Sequence, residues 1–184
     1  MDTAQRRLRD QIDDATQRLL GTARVIAEPD LRAPSMLPGW TRARVLAHLA
    51  RGADAMRSLM IGARDGPDRP AYASAEARAA DIEQAARQKP ADLAADVASA
   101  SMAWRTLAGQ LSDEAWRQPV QVPGLEPFPA GQLLVRRLVE VELHHCDLGL
   151  AYGPADWPAA FARLELAEPM RSQRQDRLTW AAAR

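Results

Sequence analysis

Leu138-Val139-Glu140-Val141-Glu142-Leu143-His144-His145-Cys146-Asp147 holds two of the chain's three histidines, its single cysteine and three carboxylates. It lies in an unbroken run from Gly131 to Ala151 that reads as one helix. Glu140 and His144 are four residues apart, so a helix sets them one turn apart on the same face. A carboxylate oxygen and an imidazole nitrogen presented together are two ligands for a divalent metal. The third histidine, His48, belongs to a distant helical segment. A site of three protein ligands leaves coordination positions open for chemistry.

Outward from this stretch the pattern is helical. Leu8, Ile12, Ala15, Leu19, Ala23 and Ile26 recur at helical spacing from about Thr3 to Ala27. Pro38-Gly39-Trp40-Thr41 reads as a turn and an N-cap threonine. A second helix then runs to about Arg64, with Val45, His48, Leu49, Gly52, Met56 and Leu59 as its stripe. Ser74 caps a third helix to about Gln88, and Pro90 opens a fourth that reaches about Leu111. The proline-rich stretch from Ser112 to Pro129 is expected to be a loop with a short helical turn. A shorter helical segment is expected around Trp157 to Glu168. The expected organisation is one bundle over residues 1–168 and a charged, weakly patterned tail over 169–184. With no alternating apolar–polar strands, the predicted fold is all-α, an antiparallel bundle of four long helices with short additional ones.

Twenty-four basic and 24 acidic residues cancel, which removes the simplest case for nucleic acid or an anionic membrane as partner. No run of about 18 apolar residues exists, so no transmembrane span is expected. One cysteine rules out an internal disulfide framework. The expected location is the cytoplasm.

Periodicity leaves two readings of the motif helix open. Leu134, Leu138, Val141, His145 and Leu148 make its strongest apolar stripe, which aims His145 at the core and makes Glu142 with His145 a rival pair. Glu140 and His144 lie about 100° around the axis. Cys146 reads as a small core residue before it reads as a nucleophile. Asp147 is placed either to hydrogen-bond a ligand histidine or to form a solvated ion pair. Arg136 and Arg137 line an anion cleft or form a charged outer face. Trp40, Trp104 and Trp116 read as packing anchors.

Leu37-Pro38-Gly39-Trp40-Thr41 followed by Val45-Leu46-Ala47-His48-Leu49 resembles the first signature of the mycothiol-dependent maleylpyruvate isomerase family, part of the DinB-like metal-binding bundles. Glu140 to Leu148 resembles its second, in which a glutamate and the first of two histidines bind metal. The resemblance covers roughly residues 5 to 165 and implies His48, Glu140 and His144 as metal ligands. It implies a DinB-like bundle, a divalent ion (zinc first, with nickel or iron compatible with two histidines and a glutamate) and mycothiol or a similar low-molecular-weight thiol. The implied chemistry is cis–trans isomerisation: a thiolate adds to an activated double bond, rotation follows, and elimination returns the trans isomer. A thiol S-transferase is the related outcome, with a small-molecule electrophile and the thiol as partners. The isomerases carry a further C-terminal domain that supplies an arginine, and Arg163, Arg171, Arg174 and Arg177 are not matched to it by sequence. A metal-dependent hydrolase and a non-catalytic metal-binding bundle are the alternatives, and related bundles often form homodimers.

Overall fold

The computed structural model describes residues 3–66, 69–122 and 124–182. Four long helices dominate: α1 (Thr3–Val25), α3 (Arg42–Asp65), α5 (Pro90–Gln110) and α7 (Gln132–Asp147). Between them lie α2 (Glu28–Arg32), α4 (Ala75–Ala85) and α6 (Asp113–Arg117), and after them α8 (Ala159–Ala162) and α9 (Met170–Ala182). The starts follow side-chain chemistry. Thr41, Ser74 and Ser112 each accept a backbone N–H of the first turn, from Arg44, Ala77 and Ala115. Pro90 sits at the first position of α5, where its missing N–H costs nothing.

The long helices form a ring in which α1 packs on α5 and α7, and α3 packs on the same two. Their directions follow from paired positions. Arg42 bonds the Leu148 carbonyl while Arg137 bonds that of Leu49, so α3 and α7 are antiparallel. Arg18 meets Glu142 and Thr22 meets His145, so α1 and α7 run parallel. Asp13 pairs with Arg105, and Arg9 lies against Gly109, which makes α1 and α5 antiparallel. The expected four-helix bundle therefore contains both antiparallel and parallel neighbours. The cause is α4, which carries the chain back along α3, so that α5 starts at the end where α3 starts. Arg32 fixes that return by donating to the Ala86 and Gln88 carbonyls.

Leu19, Leu46, Leu49, Leu93, Trp104 and Leu134 are among the side chains that fill the ring. Between α5 and α7 the expected loop contains α6 and a two-residue antiparallel ladder, β1 (Pro119–Val120) against β2 (Phe128–Pro129). α7 ends at Asp147, four residues before the sequence pattern suggested, because Gly149 turns the chain in the left-handed region at φ 63°. The segment expected as a helix around Trp157–Glu168 contains only α8, and the 3₁₀ turn Pro154–Asp156 comes just before it.

The charged tail after Pro169 folds as α9. Arg174 donates to the carbonyls of Phe161 and Leu164, and the nearly buried Arg177 donates to both oxygens of Asp147 at 3.0 and 2.7 Å. Cations attach this helix rather than an apolar stripe, which is why its pattern is weak. No described helix is long and apolar enough to cross a membrane.

Candidate metal centre

The first half of α3 and the last half of α7 lie side by side at one end of the bundle. The connection before α3 is tied to the end of α7: Met36 N–H donates to the Asp147 carbonyl and Arg42 to that of Leu148. That register sets His48 beside His144, with ring centroids 4.7 Å apart, and brings His48 Nε2 to 3.7 Å from Glu140 Oε1. Gly52, one turn beyond His48, makes room for the carboxylate. A Cβ there would stand 3.0 Å from both Glu140 oxygens.

Each of the three side chains is held from behind. Arg137, 1% exposed, donates to the Leu49 carbonyl, to Ser101 Oγ and to Glu140 Oε2 at 3.4 Å. Burial lowers the Arg137 pKa, and the Glu140 carboxylate opposes that. His144 Nδ1 lies 2.8 Å from Asp147 Oδ2. Burial tends to raise the Asp147 pKa, but hydrogen bonds from His144 and Arg177 outweigh it and hold the group below the usual carboxylate range. An ionised Asp147 accepts the Nδ1 proton, so Nε2 is the ring atom of His144 left to offer a ligand lone pair. His48 Nδ1 instead faces Arg78 of α4, with Nη2 at 3.0 Å. Burial foremost, then the charges of His144, Arg78 and Arg137, push the His48 pKa down to about 2, so this ring is neutral.

Among the described residues, no group of three His, Cys, Asp or Glu side chains stands ready to hold a metal ion. The donor set nevertheless suits one. It comprises a neutral imidazole, a second imidazole oriented by a carboxylate, and a carboxylate in a cradle that a Cβ would fill. What must change is the tautomer of His48. Arginine has no acceptor, so its contact with Arg78 puts the lone pair on Nδ1 and the proton on Nε2.

These three residues line a cleft of about 440 Å³ whose walls are largely apolar and which also contains Trp40, Tyr72, Arg78 and Arg136. Trp40 meets His48 edge-on, with centroids 5.5 Å apart. Pro169 and, from α9, Met170, Gln173 and Arg177 close one side.

A family model described as the mycothiol maleylpyruvate isomerase N-terminal domain matches residues 12–149. The chain belongs to that family. Two solved structures resemble this member of it, "mycothiol-dependent maleylpyruvate isomerase" and a histidine-to-alanine mutant of the same protein. Each superposes with a TM-score of 0.81 at 26% identity over 86% of this chain. The match covers 66% of their length, just under two thirds. No curated protein matches the chain.

Within this isomerase-family bundle the rival pair lies elsewhere. Glu142 and His145 face α1 and the segment after α7: Glu142 accepts from Arg18 at 2.7 Å and Tyr152 at 2.5 Å, and His145 Nε2 meets Thr22 Oγ1 at 2.8 Å. Neither lines the cleft. Cys146 is buried, and burial above all pushes its thiol up to about 12, the opposite of a nucleophile's need. Trp104 and Trp116 are core residues, whereas Trp40 is part of the cleft. Arg137 is interior rather than part of an outer face. Arg78 and Arg177 carried no sequence signal, since each reaches the site from a helix whose own pattern does not point there.

Proposed function

We propose that the chain is a metal-dependent enzyme that uses a low-molecular-weight thiol, with maleylpyruvate-type cis–trans isomerisation or thiol S-transfer as its reaction. The observation that carries this reading is the meeting of His48, Glu140 and His144, from two helices, at the head of one apolar cleft. Family membership supports the isomerase side of it. The ligands proposed are His48, Glu140 and His144, and zinc is the ion that two histidines and a carboxylate suit best. Such an ion, when bound, lowers the pKa of a thiol placed against it and fixes the thiol's position.

The chain's own residues do the rest. Asp147, held by Arg177, keeps the proton of His144 on Nδ1 and aims Nε2 inward. Arg137 holds one oxygen of Glu140 and leaves the other facing His48. Leu37, Met56, Leu59 and Leu143 keep water from the cleft wall, which favours thiolate addition over hydrolysis.

Metal content of the purified protein tests the reading. Wild type should hold about one ion per chain, protected from chelators by added thiol, and His48→Ala should lose it. Full metal content in His48→Ala would overturn the ligand assignment. Maleylpyruvate supplied with mycothiol, glutathione or cysteine should give a thiol-dependent cis–trans change. A thiol adduct as the final product would favour the S-transferase.

A further inference from the structure

The cleft does not end at the three candidate ligands. α3 and α7 are antiparallel and Gly52 lies against Glu140, so beyond that contact their walls pair in opposite chain directions. Forwards along α3 the wall is Ala55, Met56 and Leu59, and backwards along α7 it is Val139, Arg136 and Leu133. Leu59 and Leu133 stand about two turns, or about 10 Å, past the Gly52–Glu140 contact. Val122 and Leu125, from the connection between β1 and β2, form a third side. Leu125 is 38% exposed, one of the few large apolar side chains left open to solvent among the described residues.

Charge is distributed unevenly along this groove. Arg78 contacts Nδ1 of His48 and Arg177 donates to both oxygens of Asp147, so both belong to the head of the cleft. Further out, Arg136 is the one charged side chain on the wall among the described residues, and its guanidinium lies over the Phe128 ring at 4.2 Å. A charged molecule seated there would lose hydration and meet a single cation that is already stacked. A hydrocarbon chain loses no hydrogen bonds on entering and gains about threefold to fourfold in affinity per methylene buried. Met56 and Met170, flexible and unbranched, let the wall fit more than one shape. The volume of about 440 Å³ lies in the range of pockets that enclose a drug-sized molecule.

We infer that the groove from Gly52 to Leu59 seats the apolar part of the electrophile, which is an uncharged molecule with a hydrocarbon chain or ring. Its reactive end lies beside His48, Glu140 and His144. This rests on the reading of the site given above and favours the thiol S-transfer reaction. With an alk-2-enal as the example, the thiol sulfur bonds the β-carbon, the thiol proton ends on the α-carbon, and the C=C double bond becomes single. No further reactant is needed.

Binding is read first without chemistry, by displacement of the neutral fluorophore N-phenyl-1-naphthylamine from zinc-loaded protein. The affinities of 1-butanol, 1-hexanol and 1-octanol should rise about tenfold per two carbons. Maleate should bind at least about a hundredfold more weakly than 1-octanol. Ala55→Phe, which fills the groove from α3, should weaken 1-octanol about tenfold or more and flatten the series. Leu125→Gln should weaken 1-octanol several-fold, whereas Met102→Gln, at a more exposed apolar position on α5, should leave it unchanged. Circular dichroism, and zinc affinity by chelator competition unchanged in both groove variants, separate a filled groove from a lost fold. With whichever of mycothiol, glutathione and cysteine is turned over fastest, kcat/KM for oct-2-enal should exceed that for but-2-enal about tenfold or more. A flat alkanol series, a series untouched by both groove variants, or maleate that binds as tightly as 1-octanol overturns the groove. Chain-length-dependent binding with equal kcat/KM for the two enals overturns its assignment to the electrophile. Wild type that binds no zinc, or turns over none of the three thiols, sinks the reading of the site and this inference with it. Tight zinc with a flat alkanol series sinks only the inference.

Discussion

α7 carries two glutamate–histidine pairs, and the bundle treats them in opposite ways. Glu142 and His145 face α1 and are sealed. The Glu142 side chain is 1% exposed, and Arg18, Tyr152 and Thr22 satisfy the polar atoms of the pair. The His145 ring stacks on Tyr152 at 3.9 Å. Glu140 and His144 face α3 across a cleft, with side chains 22% and 17% exposed, and their front atoms meet other candidate ligands rather than closing partners. The same residue types thus build a lock on one face and a receptive site on the other. What separates them is whether protein groups already fill the donor and acceptor positions.

That contrast can be broken by mutation. The largest effect should come from the lock. Arg18→Met leaves Glu142 buried with only Tyr152, and should lower unfolding free energy by about 3 kcal/mol in urea melts. Metal content should be unchanged, and a loss of metal with intact stability would reverse the roles of the two faces.

Acid should act next, and on the metal-free protein. Burial, with the charge of Arg18 behind it, pushes the His145 pKa from 6.5 to about 4. The unfolded chain therefore binds a proton that the fold refuses. Stability is whole above about pH 6.5 and falls as pH drops towards 4, by up to about 3 kcal/mol at 1.36 kcal/mol per unit. His48 acts in the same direction. Glu142, raised by burial, opposes it just above its ordinary range. A pH series of urea melts on wild type and His145→Gln should show the difference, and identical slopes would exclude His145 as a cause.

Asp147→Asn should leave the fold standing but weaken metal binding about 10- to 100-fold, the usual cost of losing a carboxylate behind a ligand histidine. Chelator competition reads it, and unchanged affinity would mean that His144 is not held through Asp147. The smallest effect belongs to Cys146→Ala, which should cost about 1 kcal/mol or less of stability and no metal. Reaction of the native thiol with iodoacetamide should be slow at neutral pH, as expected when burial holds the thiol up to about 12.

Much of the fold was legible because it is local. Thr41 and Ser74 announce helix starts through their own side chains, and Pro90 does so through its missing N–H. Helical spacing placed most of the buried residues of α1, and in α3 it found Val45, Leu49, Gly52 and Leu59. The end of α7 was overestimated because apolar pattern continues through Leu148 and Leu150, while Gly149 decides the backbone. α9 was hidden because a helix held by Arg174 and Arg177 leaves no apolar period to read.

The sequence by itself determined the helical class, the helix starts and the short set of residues able to ligate a metal, since caps, prolines and i to i+4 spacing act within a turn or two. Only the tertiary structure decided which face of α7 opens on a cleft. It also decided the parallel pairing of α1 with α7, the attachment of Arg177 to Asp147 and the approach of Arg78 to His48. Those outcomes depend on which helix stands opposite, and contacts between residues tens of positions apart follow chain direction and packing, which no local period encodes.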